Sequence, residues 1–507
     1  METLASKSTS WLSWFFRGLL LLGGVILAAR LSEFSIIKGS YFRALAEGNR
    51  IRRVPITAAR GKIIARGGEE IVGTRADQRE YFLGSGAAHL TGYLGEVDED
   101  EVGKIDGSCP QKGPHRLGQL VGRSGLEQQY DCRLRGIDGE ELVEVDTRGR
   151  KVRIIGTKES VAGQDLKTHI DFRLQKKLAE VMEETKGAAV IIDGKGQVLA
   201  LYSSPSFDPT DVAKSVEDRQ LPLFNRVIGG AYHPGSVFKL VTATAALEEG
   251  KIDRDFVYLD TGSEVVKADP TAQIPQDYVY TNWYFTQYGR TEGEINLARA
   301  LTRSTDTFFY KAGELVGVDA LVSWAQKFGL GEATGIDLSG EISGLIPSPK
   351  WKMRVKGERW FLGNTYHMAI GQGDLALTPL AVNMMTSVIA NRGKLCPPTI
   401  AGDTSCSDLA IDKDNIAFIK EGMIGVCQAG GTAFPFFDFE AKSGVSVACK
   451  TGTAETEEED KTHAWFTVFG PADNSELVMT VLVEKGGEGS AVAAPIARQV
   501  FDFYFNP

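Results

Sequence analysis

An apolar stretch near the N-terminus, residues 11–31, constrains this chain more than any other feature. It reads WLSWFFRGLLLLGGVILAARL, in which Arg17 and Arg30 carry the charges. About 20 apolar residues are the length of one helical crossing of a bilayer. We therefore predict a transmembrane anchor over residues 11–37, preceded by a cytoplasmic tail over residues 1–10.

A cleaved signal peptide is the alternative interpretation of this stretch, since Ala28-Ala29 resembles a weak cleavage site. Ile26 and Leu27 occupy positions where such a site needs small side chains, and this favours an uncleaved anchor. The basic residues on the two flanks nearly balance, so their charge does not set the orientation.

Composition and length limit the classes of protein to which the rest of the chain can belong. Of the 507 residues, 43% are hydrophobic and 24% charged, which is typical of a folded protein. The length exceeds what one compact core holds, so we expect roughly two or three domains. The net charge of −10 argues against a nucleic-acid partner, because such a partner would need a basic face.

The six cysteines all follow the apolar stretch, and an even number suits an oxidising compartment. Six cysteines allow many connectivities, and buried free thiols are the alternative to disulfides. Pairing between neighbours would join Cys109 to Cys132, Cys396 to Cys406 and Cys427 to Cys449.

The sequence pattern changes twice after the anchor. Apolar residues at helical spacing continue to residue 53, and β-like runs broken by glycine then fill residues 55–156. From Asp165 onward, helices lie between early and late strands, which is typical of one α/β domain whose sheet uses both ends of its sequence. The predicted elements are helices over 172–186, 237–249, 297–316 and 493–504, and strands over 188–193, 197–203, 446–452, 464–471 and 477–485, with a turn at Gly194-Lys195-Gly196.

Ser236 and Lys239 form the first candidate reactive pair, within the sequence SVFK. A serine three positions before a lysine at the start of a helix places both side chains on one face. Pro234 and Gly235 seat the serine near a helix N-terminus, where the dipole favours an alkoxide or oxyanion. A lysine there acts as a base if burial lowers its pKa. Taken alone, the pattern also fits an N-capping serine with a solvated lysine.

Two further motifs follow in order. Ser304-Thr305-Asp306 begins 68 residues after Ser236, and Lys450-Thr451-Gly452 begins a further 146 residues on, at the end of the β-like run SVAC. Each of these alone would be an ordinary polar segment. Their order and their chemistry, a second hydroxyl and a second amine, give the first pair its weight.

With these three motifs in this order, the chain resembles the penicillin-binding protein and serine β-lactamase superfamily. GGAYHPGSVFKL, GIDLSGEISGLIPSPKWK, YHMAIGQGDLALTP, KTGTAE and HAWFTVFGP look like the monofunctional class B transpeptidases. Upstream, NRIRRVPITAARGKI, TGYLGEV, GRSGLEQQYDCRLRGIDG and EVDTRGR are similar to the pedestal motifs of that class. The resemblance implies an α/β (α+β) fold. Residues 161–507 would form a serine β-lactamase/transpeptidase-like domain with a central antiparallel sheet flanked by helices. Residues 38–160 would form an elongated α+β pedestal before it, similar to the dimerisation domain of these proteins.

The resemblance also implies how the first two motifs act. Ser236 would attack the carbonyl of the penultimate D-Ala of a stem peptide, Lys239 would take its proton, and the terminal D-Ala would leave. Which group is the base is disputed in this superfamily. Ser304 would relay a proton to the leaving amine. Asp306 would contact the substrate where many relatives carry Asn, which is either a mark of the elongation-type subgroup or a change that weakens activity.

The third motif would bind the substrate and stabilise charge. By resemblance, Lys450 supplies positive potential, and Thr451 and Thr453 bind the substrate carboxylate beside Gly452. Backbone N–H groups of Ser236 and Thr453 would form the oxyanion hole.

Other candidates are weaker. The six histidines are scattered without metal-ligand spacing, so structural or surface roles are the default, and we expect neither a metal nor a cofactor. Gly371-Gln372-Gly373 lacks the GK[ST] of a phosphate loop, and the resemblance makes it a turn near the active-site cleft. The acidic run Glu455–Asp460 is either a solvated loop or an attractor for the cationic acceptor amine. Cys449 stands where relatives commonly carry Gly, and we expect a disulfide to Cys427 or a buried thiol there.

Other functions compete with transpeptidation. A β-lactamase or carboxypeptidase would pass the acyl group to water, but the pedestal, the anchor and the lack of a convincing ExxLN motif argue against both. A β-lactam sensor or a non-catalytic scaffold that retains the fold is a further alternative, and the presence of Ser236, Lys239, Ser304 and Lys450 together argues against a non-catalytic scaffold. A bifunctional class A enzyme needs a glycosyltransferase domain, for which the segment before residue 161 is too short beside the pedestal.

The favoured function is a D,D-transpeptidase that cross-links peptidoglycan stem peptides and binds β-lactams covalently. By resemblance, the elongation subgroup is favoured over the division subgroup, with a role in cell shape. The glycan strands would come from a polytopic polymerase of the shape, elongation, division and sporulation (SEDS) family. We expect a single-pass protein of the cytoplasmic membrane, with its N-terminus in the cytoplasm and its catalytic domain on the periplasmic or extracellular side.

Overall fold

The computed structural model describes residues 10–75, 78–146, 148–267 and 276–506. The chain forms two compact units, one of Met1–Ala59 with Arg135–Gly163 and one of Arg60–Leu134 with Gln164–Pro507. The predicted tail lies outside the described residues except for Ser10. The predicted pedestal contributes residues to both units, and its boundaries stay a prediction.

The first unit begins with the apolar helix. Helix α1 (Ser10–Ser32) runs into a π-helical turn (Glu33–Ile37), which helix α2 (Gly39–Arg50) follows. Within the described residues, Trp11–Ile37 is the one helix long and apolar enough to cross a bilayer. Its leucine and aromatic side chains are exposed, which suits contact with lipid.

A three-stranded antiparallel sheet completes this unit. Strand β1 (Ile51–Ile56) pairs with β2 (Gly139–Val145), which pairs with β3 (Lys151–Lys158). The sequence prediction that the helix continues to residue 53 is wrong, because the helix ends at Arg50. Ile51 and Val54 are β-branched and Pro55 lacks the N–H that a helix needs, so the chain becomes a strand.

The second unit is built on a five-stranded sheet. Its strands are β4 (Gly187–Ile192), β5 (Val198–Ser204), β6 (Ala448–Glu455), β7 (Thr462–Gly470) and β8 (Leu477–Val483). They lie in the order β5-β4-β8-β7-β6, and every pairing is antiparallel. The predicted sheet, assembled from both ends of the domain, is confirmed.

The main helices of this unit come mostly between the early and late strands. They are α3 (Phe172–Met182), α4 (Lys239–Glu248), α5 (Leu297–Arg303), α6 (Asp306–Val316), α7 (Leu362–Ala369), α8 (Pro379–Ala390), α9 (Lys413–Val426) and α10 (Ala493–Phe505). This unit also contains the helices Val318–Lys327, Pro349–Lys356 and Trp283–Tyr288.

Small sheets and disulfides surround this framework. A four-stranded sheet consists of Ile63–Ile64, Glu70–Arg75, Gln78–Tyr81 and Leu166–Lys167. Four two-stranded sheets pair Leu94–Glu96 with Leu120–Gly122, Tyr258–Asp260 with Gly293–Ile295, Ser263–Val266 with Tyr278–Thr281, and Lys394–Leu395 with Ser407–Asp408. The cysteines pair as neighbours, Cys109 with Cys132, Cys396 with Cys406 and Cys427 with Cys449.

The five-stranded sheet is covered on both faces. Ala188 and Val190 of β4 belong to the hydrophobic cluster that contains α4 and α8. Ala189 and Ile191 belong to the cluster that contains α3 and α10. Successive side chains of a strand point to opposite faces, so this alternation places one helix layer on each side. Every residue of β4 is therefore buried.

Two predicted helices differ from the structure at positions that matter for the site. The predicted helix 237–249 begins as a 3₁₀ turn, Gly235–Phe238, before α4. The predicted helix 297–316 is interrupted, because Ser304 ends α5 with a left-handed backbone at φ 55° and α6 starts at Asp306. A non-glycine residue in that region ends a helix. The predicted helix 172–186 is shorter, and α3 ends at Met182.

A buried ionic cluster ties the N-terminal part of the second unit together. Glu127 is fully buried and accepts hydrogen bonds from Arg60 Nε at 2.6 Å and Arg79 Nε at 2.7 Å. Arg60 also reaches Asp131 at 2.8 Å. Removing one partner of such a group leaves buried charge without compensation.

We expect Glu127→Gln to destabilise this unit by about 3 to 5 kcal/mol, the usual cost of breaking a buried ion pair. The measurement is the thermal unfolding midpoint of the purified protein in detergent. Glu421→Gln is the matched control, because its ion pair with Arg254 joins side chains that are 62% and 54% exposed. Such surface pairs contribute about 1 kcal/mol or less. Equal midpoints for the two variants would contradict the prediction.

Candidate active site

Ser236 lies in the 3₁₀ turn that leads into α4, and it lines a cleft of about 480 Å³. Gly235 before it has φ 57°, and a Cβ there would lie 2.7 Å from the backbone oxygen of Thr453. The Gly235 N–H donates to Gly371 O at 2.9 Å. Glycine at 235 therefore lets three segments meet beside Ser236.

Two buried lysines converge on Ser304 behind the cleft. Lys239, the first residue of α4, donates from Nζ to Ser304 O at 2.8 Å and lies 3.3 Å from Ser304 Oγ. Lys450 of β6 donates to the same Oγ at 2.8 Å and to Thr451 O at 3.0 Å. Neither lysine is exposed to solvent. The helix break at Ser304 is what places its hydroxyl between the two amines.

Asp306 supplies the carboxylate in this cluster. Its Oδ1 accepts from Lys239 Nζ at 2.6 Å, and its Oδ2 accepts from the Trp283 N–H at 3.0 Å. The Asp306 N–H donates to Asn282 Oδ1 at 3.1 Å. Because each carboxylate oxygen faces a donor, the position suits an acceptor-only group.

The two amines share one carboxylate, and this sets their protonation. Burial lowers the pKa of Lys239, while Asp306 raises it in part. Burial and the neighbouring Lys239 hold the pKa of Lys450 well below its ordinary value. Two buried ammonium groups beside one carboxylate would leave a net charge in a low dielectric, which is costly. The cluster therefore favours one neutral amine within reach of Ser304 Oγ.

Strand β6 forms one wall of the cleft with Thr451, Gly452 and Thr453. A Cβ at Gly452 would lie 2.9 Å from Trp465 Cβ and 3.1 Å from Pro234 O. Glycine at this position therefore lets the turn that carries Ser236 pack directly on the strand. Thr453 is exposed to the cleft, so its side chain is accessible to a bound molecule.

The disulfide Cys427–Cys449 lies next to Lys450 and links β6 to the end of α9. Of the two states expected for Cys449, the disulfide is the one present.

The structure brings every predicted site residue to one place. Ser236, Ser304, Asp306, Thr451, Gly452 and Thr453 line the cleft, and Lys239 and Lys450 lie directly behind it. The Gly371-Gln372-Gly373 turn also lies there, since Gln372 lines the cleft and Gly371 accepts from Gly235.

Sequence reasoning missed several residues of the site. Asn282 is fully buried, accepts from Asp306 and donates to Asp260 Oδ2 at 3.2 Å. Thr432 contacts Thr451 through their hydroxyl oxygens at 2.7 Å. His367 also lines the cleft. Asn282 and Thr432 come from segments without a recognisable motif, whereas His367 lies in the segment YHMAIGQGDLALTP, whose resemblance to class B transpeptidases could have pointed to it.

No metal centre is evident among the described residues. The one cluster of suitable ligands there is Asp106 with Cys109 and Cys132, and both sulfur atoms belong to a disulfide. A disulfide offers no thiolate to a metal ion.

Comparisons with known proteins agree with this geometry. Residues 187–502 match the penicillin binding protein transpeptidase domain, and residues 71–168 match the penicillin-binding protein dimerisation domain. The peptidoglycan D,D-transpeptidase MrdA of Haemophilus influenzae is 32% identical over 470 residues, which cover 85% of this chain and 69% of that protein.

Solved structures are similar along most of the chain. Pseudomonas aeruginosa PBP2, crystallised in complex with WCK 5153, has 31% identity and a TM-score of 0.75, covering 89% of this chain and 96% of that one. A chain of a peptidoglycan synthase complex that coordinates polymerization and crosslinking has 27% identity and a TM-score of 0.76, covering 98% and 99%. The predicted family and fold are confirmed, and the chain belongs to the penicillin-binding protein transpeptidases.

Proposed function

We propose that Ser236 is the nucleophile of a D,D-transpeptidase that cross-links peptidoglycan during cell-wall elongation. The observation that carries this assignment is the position of Ser236 at the cleft, in front of two buried amines that share Ser304 Oγ. Serine acyl transfer needs a nucleophilic hydroxyl with an amine of lowered pKa close to it, because the amine can then take the proton of the hydroxyl.

Lys239 takes the Ser236 proton as Oγ attacks the carbonyl carbon of the penultimate D-Ala. The C–Oγ bond forms, the bond to the terminal D-Ala nitrogen breaks, and that nitrogen receives a proton through Ser304. Lys450 supports the relay because it donates to Ser304 Oγ at 2.8 Å. These steps need the neutral amine that burial favours.

Strand β6 holds the substrate. Thr451 and Thr453 bind its carboxylate beside Gly452, and the backbone N–H groups of Ser236 and Thr453 stabilise the oxyanion. The close packing at Gly452 supports this assignment, because it keeps the turn and the strand at fixed separation.

The rest of the chain fits an anchored enzyme. We infer a cytoplasmic tail over residues 1–10, an anchor over 11–37, a pedestal over 38–160 and a transpeptidase domain over 161–507. The N-terminus is cytoplasmic and the catalytic domain lies outside the membrane, where disulfides form. The glycan substrate comes from a SEDS-family polymerase. The similarity to a chain of a peptidoglycan synthase complex supports this partner.

Ser236→Ala is expected to abolish covalent labelling by a fluorescent penicillin. It also abolishes dimeric muropeptides in a reaction with lipid-linked precursor and a SEDS polymerase, because no acyl-enzyme forms. Ser407→Ala, at an exposed serine outside the cleft, is the control and keeps wild-type labelling. Labelling of Ser236→Ala at the wild-type level would remove Ser236 as the nucleophile, and trimmed monomers from the wild type would identify a carboxypeptidase.

Asp306→Asn is expected to shift the pH dependence of penicillin acylation to lower pH. The Asp306 carboxylate raises the pKa of Lys239, against the larger lowering by burial, so its removal lowers that pKa further. A larger fraction of Lys239 is then neutral at a given pH, and the rising limb of the rate profile moves towards acid. The measurement is the second-order acylation rate between pH 5 and 10, roughly the range in which shifted lysines titrate.

Asp319→Asn is the matched control, because Asp319 is an exposed acid on another helix. Its profile should overlay that of the wild type. A limb that stays in place or moves to higher pH in Asp306→Asn would show that Lys239 is not the group that limits acylation.

A further inference from the structure

A second cavity of about 790 Å³ adjoins the reaction cleft, which has a volume of about 480 Å³. Three residues line both, namely Tyr280, His367 and Gln372. The two cavities are thus separated by a wall of side chains rather than by the core of the domain. Acyl transfer between two peptides needs two neighbouring peptide-binding sites, and these two cavities share side chains at the edge of the cleft that Ser236 lines.

His367 is fixed relative to Ser236 by backbone contacts. It lies in α7, and the turn that ends this helix hydrogen-bonds back to it through Gln372 N and His367 O at 2.8 Å. The same turn packs on the segment before the nucleophile, since Gly235 N donates to Gly371 O at 2.9 Å. A Cβ at Gly371 would lie 2.1 Å from Gly235 O, so the two backbones are in direct contact.

The surroundings of His367 suit an imidazole that is neutral at rest. His367 is exposed at the wall of the cleft, so solvent reaches part of its ring. Desolvation of the rest of the ring lowers its pKa, Glu455 and Asp374 raise it in part, and Lys352 lowers it. The Tyr280 ring meets it edge-on at 5.6 Å between centroids. A neutral imidazole accepts a proton, and the carboxylate of Glu455, which lines the reaction cleft, stabilises the imidazolium that results.

The second cavity has the chemistry of a peptide site. Trp360 and the 67% exposed Phe361 provide apolar surface for aliphatic parts of a peptide. Arg359 provides a cation for a carboxylate, and Lys352, which pairs with Glu358 at 3.2 Å, adds positive charge to a lining that also includes Asp374. Asn364 adds a donor and an acceptor. A cavity of this size that combines aromatic surface with charged and amide side chains suits a ligand that is itself part apolar and part polar, as a peptide is.

We propose that this second cavity binds the acceptor stem peptide, and that His367 takes the first proton from its ammonium group as the amine enters the reaction cleft. The proposal rests on the proposed function, because it concerns the second half of the same reaction. It makes His367 a catalytic residue for acyl transfer but not for acylation.

The transfer moves two protons away from the acceptor nitrogen. The acceptor ammonium gives one proton to His367, and the free amine attacks the carbonyl carbon of the Ser236 ester. A C–N bond forms, the C–Oγ bond breaks, and the second proton of the attacking nitrogen passes through Lys239 to Ser236 Oγ. His367 then releases its proton to solvent. The products are the amide cross-link and free enzyme.

His367→Gln tests the proton transfer, because glutamine keeps hydrogen-bonding capacity but cannot act as a base. The substrates are a synthetic depsipeptide donor, which acylates Ser236, and a synthetic stem peptide with a free amine as acceptor. Fluorescent penicillin labelling measures acylation separately. We expect an aminolysis-to-hydrolysis ratio that falls about a hundredfold, the low end for general acid–base catalysis, and this ratio does not depend on how fast Ser236 is acylated. The rise of that ratio with pH should also lose its His367-dependent limb.

His115→Gln is the matched control, since the same change is made at a histidine that lines neither cavity. It should behave as wild type in both assays. A His367→Gln variant with the wild-type ratio would overturn the proposal, as would one that loses acylation and aminolysis in proportion. A wild-type enzyme that forms the acyl-enzyme but never transfers it to the amine would instead refute the proposed function.

Phe361→Ala tests the cavity itself. The side chain is mostly exposed, so its loss should leave folding intact, and we expect the KM for the acceptor peptide to rise several-fold with kcat little changed. Phe437→Ala, at another exposed phenylalanine that lines neither cavity, is the control. A change in the KM for the donor instead of the acceptor would assign the cavity to the donor peptide and overturn the proposal.

Discussion

The arrangement of two buried amines around one hydroxyl and one carboxylate is the constraint on which the rest of the site depends. Lys239 and Lys450 approach Ser304 from a helix and from a strand, and Asp306 neutralises only one of them. Burial of a cation is unfavourable unless it is paired or loses its proton. The burial of both amines therefore favours the loss of a proton from one of them, because a single carboxylate cannot compensate two buried ammonium groups.

Holding that cluster requires backbones to approach more closely than side chains permit. Gly235 packs on Thr453 O, and Gly371 packs on Gly235 O. Gly452 in turn leaves room for Pro234 O and the Trp465 side chain. Three segments distant in sequence are thus joined by contacts at which even a methyl group would clash. These glycines fix the position of Ser236 against strand β6, and the nucleophilic role proposed for Ser236 depends on that position.

The sequence predicted the sheet and the three motifs because their signals are local. Apolar runs such as AAVIID define a buried strand wherever they occur, and the order of the motifs identified the family. The helix break at Ser304 was missed because apolar spacing continues across it, and a left-handed serine has no signature in the sequence. Asn282 and Thr432 were missed for a related reason, since only tertiary packing brings them to Asp306 and Thr451. The disulfide pairing was left open because thiol spacing alone does not determine it.

Asp306 shows how one substitution redistributes charge in such a site. Its two oxygens accept from Lys239 and from the Trp283 N–H, whereas an asparagine has one acceptor and must direct its NH₂ at one of these groups. An NH₂ facing Lys239 favours the neutral amine, which can accept it, and a carboxylate favours the ammonium. With aspartate, the pKa of Lys239 is higher than it would be with asparagine, although burial still lowers it below its ordinary value. The identity of residue 306 therefore affects how readily Lys239 loses its proton, and the neutral amine that results is the form that the proposed base needs.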